Sequence, residues 1–340
     1  MKWVTCTYSK KDVMRAGEQL IAENITDEEQ TASMDILSNW RAAHAYPMHA
    51  LLIFLRTQSS KIDARAVVVQ RLKRTPSILD KLSRYPQMKL HRMQDISGCR
   101  SVVNTVNSVE KLSTVLTNSR TRHKLHKKDD YIQCPKDSGY RGIHLVYKYN
   151  GGKKPYADYF VELQLRSKIQ HAWATSVEIV DIFTRQALKA SQGSKDWLDF
   201  FKYASAEFAK LEKRPTGEHL NGIETKTELR NLANSLNVVN RLNAFAVSTQ
   251  YVATKHDNKT DYFLLELTNQ AQAIMVTQFA SSDLDKATRT YLEKERTAKD
   301  DPTYDVVLVA AGSMHALQAA YPNYFADSKS FLNYLAKVMS

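Results

Sequence analysis

Cysteine is nearly absent: the 340 residues hold three, Cys6, Cys99 and Cys134. They are odd in number and widely spaced, and none forms a CxxC pair. This excludes a disulfide framework and a Cys-rich zinc site and leaves three reduced thiols. Glycine and proline are also scarce, at 10 and 8 residues, which argues against long disordered or fibrous stretches. No apolar run approaches the roughly 20 residues that span a bilayer. The longest apolar windows, Leu51 to Leu55 and Val306 to Ala311, read as core segments. The opening MKWVTCTYSKKD has no sustained apolar region and no clear cleavage site, so no secretory signal is expected. A cytoplasmic protein with no membrane partner is the resulting expectation. Negative charge is in deficit, with 36 acidic residues against 48 Lys and Arg and a net charge of +12. That balance suits polyphosphate nucleotides or RNA, and equally a merely basic surface. With 43% hydrophobic and 25% charged residues, the chain has an ordinary globular composition. It is long enough for two modest domains, or for one with substantial helical additions.

The first 59 residues read as a helical lead-in. Val13, Ala16 and Leu20 keep helical spacing within Tyr8 to Glu23. Thr26 with Glu29 forms a capping box opening a second helix, which runs to about Trp40 or beyond, and Pro47 should bend or break it. Residues 60–214 change character. Ala66 to Lys73 is short and β-branched, a strand. Thr75-Pro76 then starts a helix, with Thr75 as N-cap. A strand from Asp95 to Val103, a helix from Val109 capped by Ser108, and strands at Ile143–Tyr149 and Tyr159–Arg166 follow. A basic loop, Arg120 to Lys128, lies among them. Ile169 to Lys213 is helical apart from a break at Gly193-Ser194. Pro215-Thr-Gly217 is the best linker. Residues 215–340 read as one more helix (Thr225 to Leu236) and then a second small α+β domain. Its strands lie near 244–252, 262–267, 273–279 and 306–310, with a charged helix at 282–296 and closing helices. The fold class is therefore α+β, a mixed β-sheet with helical flanks.

Three blocks carry chemistry. In a strand, Glu162, Gln164 and Arg166 share one face and Val161, Leu163 and Leu165 the other. A carboxylate, an amide and a guanidinium on one sheet face make a polar pocket wall. Arg71 and Lys73, followed by Ser77 and Lys81 one helical turn apart, aim three cations and a hydroxyl at one place, which suits a polyphosphate. Between Asp130 and His144, Pro135, Gly139 and Gly142 shape a loop. There Tyr140 offers a face for base stacking and Lys136 a phosphate contact, and His144 opens the next strand. Taken singly, each block is also what an ordinary solvated strand or charged surface looks like.

Together they are far more specific. RxKxxxSxxxK, DIxGxR, DYIxxPKxSGYRxxH and ExQxR occur in this order within about a hundred residues. That succession resembles the synthetase domain of the RelA/SpoT family, a nucleotidyltransferase-like domain that makes guanosine tetra- and pentaphosphate. The resemblance implies an ATP-dependent pyrophosphokinase acting on the ribose 3′-hydroxyl of GDP or GTP. It implies that Arg71, Lys73, Ser77 and Lys81 bind ATP, with Arg100 supporting its phosphates. Asp95 and Glu162 would hold Mg²⁺, Glu162 also helping to activate the 3′-hydroxyl. Tyr140 would stack on the acceptor base, with Lys136 and His144 nearby and Gln164 and Arg166 completing the pocket. Hard Mg²⁺ prefers carboxylate oxygens, and phosphoryl chemistry asks mainly for positioning and charge neutralisation.

Departures from the family pattern lie on the acceptor side. Asp129 stands where the family usually has a lysine, with Lys127 and Lys128 upstream. Ser138 replaces a common Asn, and Arg141 follows the tyrosine. Asp95 and Arg100 differ in strand parity, which a bulge at Gly98 would reconcile. The hydrolase half of long family members has no candidate here, since His256-Asp257 reads as a turn. Relatives that pyrophosphorylate the 3′-CCA end of tRNA or make adenosine alarmones are the runner-up, and a non-catalytic nucleotide sensor is a third class. Oligomeric state is left open.

Overall fold

The computed structural model describes residues 3–152, 154–184, 188, 193–248, 250–253, 260–268, 273–298, 304–310 and 328–340. The lead-in folds as its caps dictate. Ser9 and Asp12 satisfy each other's backbone N–H groups at the start of α1 (Lys10–Gln19). Thr26 and Glu29 do the same for α2 (Asp27–Ala43). The chain then breaks at His44, and Pro47 falls in the first turn of α3 (Ala45–Ile62), where an N–H would lack a helical partner anyway.

Five strands follow: β1 (Val67–Leu72), β2 (Ser97–Val103), β3 (Lys124–Asp130), β4 (Ile143–Lys148) and β5 (Phe160–Ser167). Between them lie α4 (Thr75–Arg84) and α5 (Val106–Thr117). Alternation along β5 sends Val161, Leu163 and Leu165 into a core shared with Leu51, Leu55 and Leu112 of α3 and α5. Each such side chain stabilises by about 2 kcal/mol through burial. The opposite face of β5 carries Glu162, Gln164 and Arg166, as the period of two requires.

A second apolar cluster joins α6 (Lys168–Thr184), α7 (Lys195–Leu211), α8 (Thr225–Ser235) and α9 (Val238–Ser248). Trp173, Trp197, Phe200 and Phe208 belong to it, as do Phe331 and Leu335 of the last helix, α11 (Lys329–Met339). The remaining elements are β6 (Gln250–Ala253), β7 (Thr260–Thr268), β8 (Ala273–Ala280), α10 (Leu284–Ala298) and β9 (Tyr304–Ala310). Among the described residues all strands form one mixed sheet, in the order β3-β4-β5-β2-β1-β9-β7-β8-β6. No described helix is long and apolar enough to cross a membrane.

Several expectations are corrected. Asp95 lies in a turn before β2, not on it, so its parity with Arg100 needs no bulge; β1 and β2 pair without a register shift at Gly98. Half of the basic loop is strand β3, which the backbone ladder with β4 imposes on a sequence of poor β-propensity. The N-cap of α4 is Arg74 and that of α5 is Thr105, whose side chain accepts from Ser108 N. The stretch expected as a strand from 244 is helix α9 as far as Ser248, because Val238 and Leu242, one turn apart, are buried in the helical cluster. The C-terminal strands do not build a sheet of their own: β9 pairs with β1 at Gln70 and Arg71, extending the first sheet. Sequence periodicity identifies strands but not their neighbours.

Candidate active site

The loop between Asp130 and His144 is held by bonds within itself and to α7. Gly139, at φ +86°, turns the chain so that its carbonyl accepts from Ser205 Oγ of α7 at 2.5 Å. Lys136 N bonds Tyr140 O at 3.2 Å, and Tyr131 N bonds Gly142 O at 2.9 Å. Arg141 is buried and donates to Pro215 O at 2.5 Å, tying the loop to the turn after α7. This fixes Tyr140 beside His144 at the start of β4.

From there a closed ring of hydrogen bonds runs across the polar sheet face. Tyr140 OH lies 2.5 Å from His144 Nε2, and His144 Nδ1 lies 2.9 Å from Glu162 Oε1. Gln164 Nε2 donates to Glu162 Oε2 at 2.7 Å. Arg166 Nη2 donates to Gln164 Oε1 at 3.4 Å and to Tyr140 OH at 3.1 Å, closing the circuit. Five of the residues singled out in the sequence therefore form one unit. The sixth, Lys136, holds its ammonium 5.4 Å from the centre of the Tyr140 ring and 4.4 Å from that of Tyr131.

The charges in the ring follow from its geometry. Burial pushes the Glu162 carboxyl up, but the adjoining His144 and the Gln164 amide outweigh it and hold the acid at about 2. Burial lowers His144, yet Tyr140 and Glu162 raise it to about 9. Tyr140 is pushed up by burial and drawn down further by Arg166 and His144, to about 8. Tyr140 and Glu162, on the two ring nitrogens of His144, together keep it charged.

A second cluster lies one strand further on. Lys73 Nζ and Lys81 Nζ grip the two oxygens of Asp95 at 3.0 and 2.8 Å. Burial raises Asp95, but the two ammonium groups prevail and keep it below its ordinary value. Ser77 is half-buried in the first turn of α4. Across the sheet Arg71 pairs with Gly98, which pairs with Glu162, and Arg100 pairs with Gln164. Paired residues share a face, so Arg71 and Arg100 stand on the polar face with a side-chain-free gap at Gly98 between Arg71 and Glu162. The two clusters meet: Asp95 and Glu162 feel each other's charge, and Lys73 helps to hold Glu162 ionised.

Among the described residues no three His, Cys, Asp or Glu side chains form a metal cage. Mg²⁺ in phosphoryl-transfer sites needs no such cage; it takes one or two carboxylates and completes its shell with substrate phosphates and water. Two neighbouring ionised carboxylates, Asp95 and Glu162, fit that donor set once Lys73 and Lys81 turn from Asp95 to phosphate oxygens.

A pocket of about 220 Å³ opens beside the ring. Tyr140, His144, Gln164, Arg166 and Lys136 line one side, with Ser138. Trp173, Val177 and Glu178 of α6, Leu188, and Leu198 and Phe201 of α7 line the other. These helical residues, and Tyr131, were not singled out from the sequence. The available signal is the helical spacing of Trp173 and Val177, with an acid beside Val177. His256 and Asp257 lie outside the described residues.

Residues 70–180 match the profile described as "Region found in RelA / SpoT proteins". They are a RelA/SpoT region. The ring, the Asp95 cluster and most of the pocket all fall within it. Over 114 residues the chain is 34% identical to GTP pyrophosphokinase YjbM of Bacillus subtilis (strain 168), covering 32% of this chain and 52% of that protein. Over 112 residues it is 30% identical to GTP pyrophosphokinase YwaC of the same organism, covering 31% and 52%. The chain thus spans about half the length of the curated relatives it matches. It is also similar to the crystal structure of small alarmone synthetase 1 from Bacillus subtilis bound to its product pppGpp. The identity is 23% and the TM-score 0.45, covering 52% of this chain and 94% of that one.

Proposed function

We propose that this chain is an ATP-dependent pyrophosphokinase that moves the terminal diphosphate of ATP to the ribose 3′-hydroxyl of GDP or GTP, making guanosine tetra- and pentaphosphate. One observation carries the reading: a cation-rich cluster (Arg71, Lys73, Lys81, Arg100) and an aromatic pocket with Tyr140 in its wall meet at two ionised carboxylates. The cations and Ser77 hold the triphosphate, while the pocket beside Tyr140 seats the acceptor base, with Lys136 at its polar side. The 3′-oxygen attacks the β-phosphorus, the bond from that phosphorus to the α–β bridging oxygen breaks, and AMP leaves.

Glu162 lies at the junction and accepts the hydrogen bond of the attacking hydroxyl. A carboxylate held near 2 is a weak base. Its contribution is orientation; the hydroxyl proton passes late to Glu162 and from there to water, as suits a loose transfer dominated by positioning and charge. His144 keeps Glu162 ionised and fixed, and Gln164 and Arg166 stop it from turning away. Mg²⁺, held between Asp95 and Glu162, would neutralise charge on the transferred phosphates. Incubation with γ-labelled ATP and, separately, GDP, GTP, AMP, ADP and bulk tRNA tests the reading. Labelled guanosine products are expected, and a folded Glu162→Gln protein should make none. Near-wild-type transfer by that variant would remove Glu162 from the mechanism.

A second acceptor, the 3′ end of tRNA, is favoured by the exposed lysines of β3, Lys124, Lys127 and Lys128, on the sheet edge beside the acceptor motif. Labelling of tRNA in place of the mononucleotides would select it.

A further inference from the structure

The acceptor pocket has two chemically different sides. Its sheet-and-loop side is made of groups that donate hydrogen bonds, including Lys136, Ser138, His144 and Arg166. The opposite side, formed by α6 and α7, is apolar except at one position: Glu178 follows Val177 and lies five residues from Trp173 on α6. Glu178 is the single acidic group among the described residues that line the pocket. At about 220 Å³ the space suits one base better than a whole nucleotide, since complete ligand pockets start near about 300 Å³.

We infer that Glu178 accepts hydrogen bonds from the base of the acceptor nucleotide and selects guanine. The inference rests on the function proposed above and extends it to base specificity. Guanine presents two adjacent donors, N1–H and the 2-amino group, which match the two oxygens of a carboxylate. Adenine presents a donor at N6 beside the lone pair of N1, and that lone pair would face a carboxylate oxygen. Hypoxanthine keeps N1–H and lacks the 2-amino group. A site built to hydrogen-bond a substrate N–H rejects the analogue without it far more strongly than an apolar site rejects a change of size.

Initial rates with ATP and each of GDP, IDP and ADP, using the full chain, test this. The wild type should prefer GDP over IDP by about tenfold and over ADP by about a hundredfold in kcat/KM, as loss of one or two charge-assisted hydrogen bonds implies. Glu178→Gln, which keeps the shape, should bring the three acceptors within a few-fold of each other. Its KM for ATP and thermal midpoint should match the wild type, which a merely structural role for Glu178 would not allow. Equal use of GDP and IDP by the wild type overturns the inference without any variant. So does an unchanged guanine preference in a folded Glu178→Gln protein. Transfer to none of the three mononucleotides would overturn the guanine-nucleotide reading of the function, and this inference with it.

Discussion

The Tyr140 hydroxyl has three neighbours: His144 Nε2 and both the Nε and Nη2 of Arg166. From the sequence Tyr140 is a stacking platform, for which phenylalanine would serve almost as well. The ring of hydrogen bonds changes that expectation. Tyr140→Phe leaves Arg166 and His144 facing a carbon edge, so it should cost about 1–3 kcal/mol of stability in urea unfolding. Tyr140→Ala should in addition raise the acceptor KM, because a stacked base contributes about 1–3 kcal/mol. The charge state of His144 gives a second test. Glu162→Gln removes one of the two groups that raise His144 and leaves Tyr140 in place, so the His144 NMR titration should fall from about 9 toward the ordinary imidazole range. The pH dependence follows in sign. The folded pKa of His144 is raised, so its contribution to stability is complete below 6.5 and is lost as pH rises through about 9. Glu162 is depressed, so its contribution is present above 4.5 and is lost as pH falls through about 2.

At the scale of elements, the loop that carries Tyr140 and the edge strand behave differently. The loop is seated on α7 without room to spare: a Cβ on Gly139 would meet Ser205 Cβ at 3.0 Å and Lys202 Cα at 3.1 Å. Its φ of +86° penalises any side chain as well. Gly139→Ala should therefore destabilise by about 1–3 kcal/mol. It should also raise the acceptor KM more than the ATP KM, since the shift is passed to Tyr140 and not to α4. Strand β3 is an edge, and exposed lysines keep such edges from pairing with other chains. If a mononucleotide is the acceptor, replacing Lys124, Lys127 and Lys128 by Gln should leave its pyrophosphorylation within about twofold, because no phosphate contact is lost. A collapse of transfer, with a flattened salt dependence of tRNA binding, would point to the RNA acceptor.

At the scale of the whole molecule, one buried cluster joins the C-terminal part to the start of α4, the helix that carries Ser77 and Lys81. Glu295 of α10 accepts from Arg41 of α2 at 2.7 Å and from Thr75 N, at the start of α4, at 3.2 Å. Tyr291 also bonds Arg41, and Arg41 is 1% exposed. Glu295→Ala strands a buried guanidinium, which should cost about 3–5 kcal/mol. It should also raise the ATP KM, because Ser77 and Lys81 ride on the helix whose first N–H loses its acceptor. An unchanged urea midpoint with an unchanged ATP KM would show that the C-terminal part and α4 are uncoupled.

Local chemistry is what the sequence determined by itself. The capping boxes at Ser9 and Thr26, the alternation of Phe160 to Arg166 and the order of the four motifs depend on contacts within a few residues, so they could be read directly. The tertiary structure decided what depends on distant partners. A run as polar as Lys124 to Asp130 becomes a strand only because β4 offers a ladder, and Val238 to Ser248 a helix because Val238 and Leu242 find the cluster around Phe331. It also decided that Tyr140, His144, Glu162, Gln164 and Arg166 close into a ring, and that Trp173 and Glu178, more than thirty residues beyond Tyr140, line the same pocket. Periodicity shows which face a side chain takes. Only the packing of one element on another shows what that face meets.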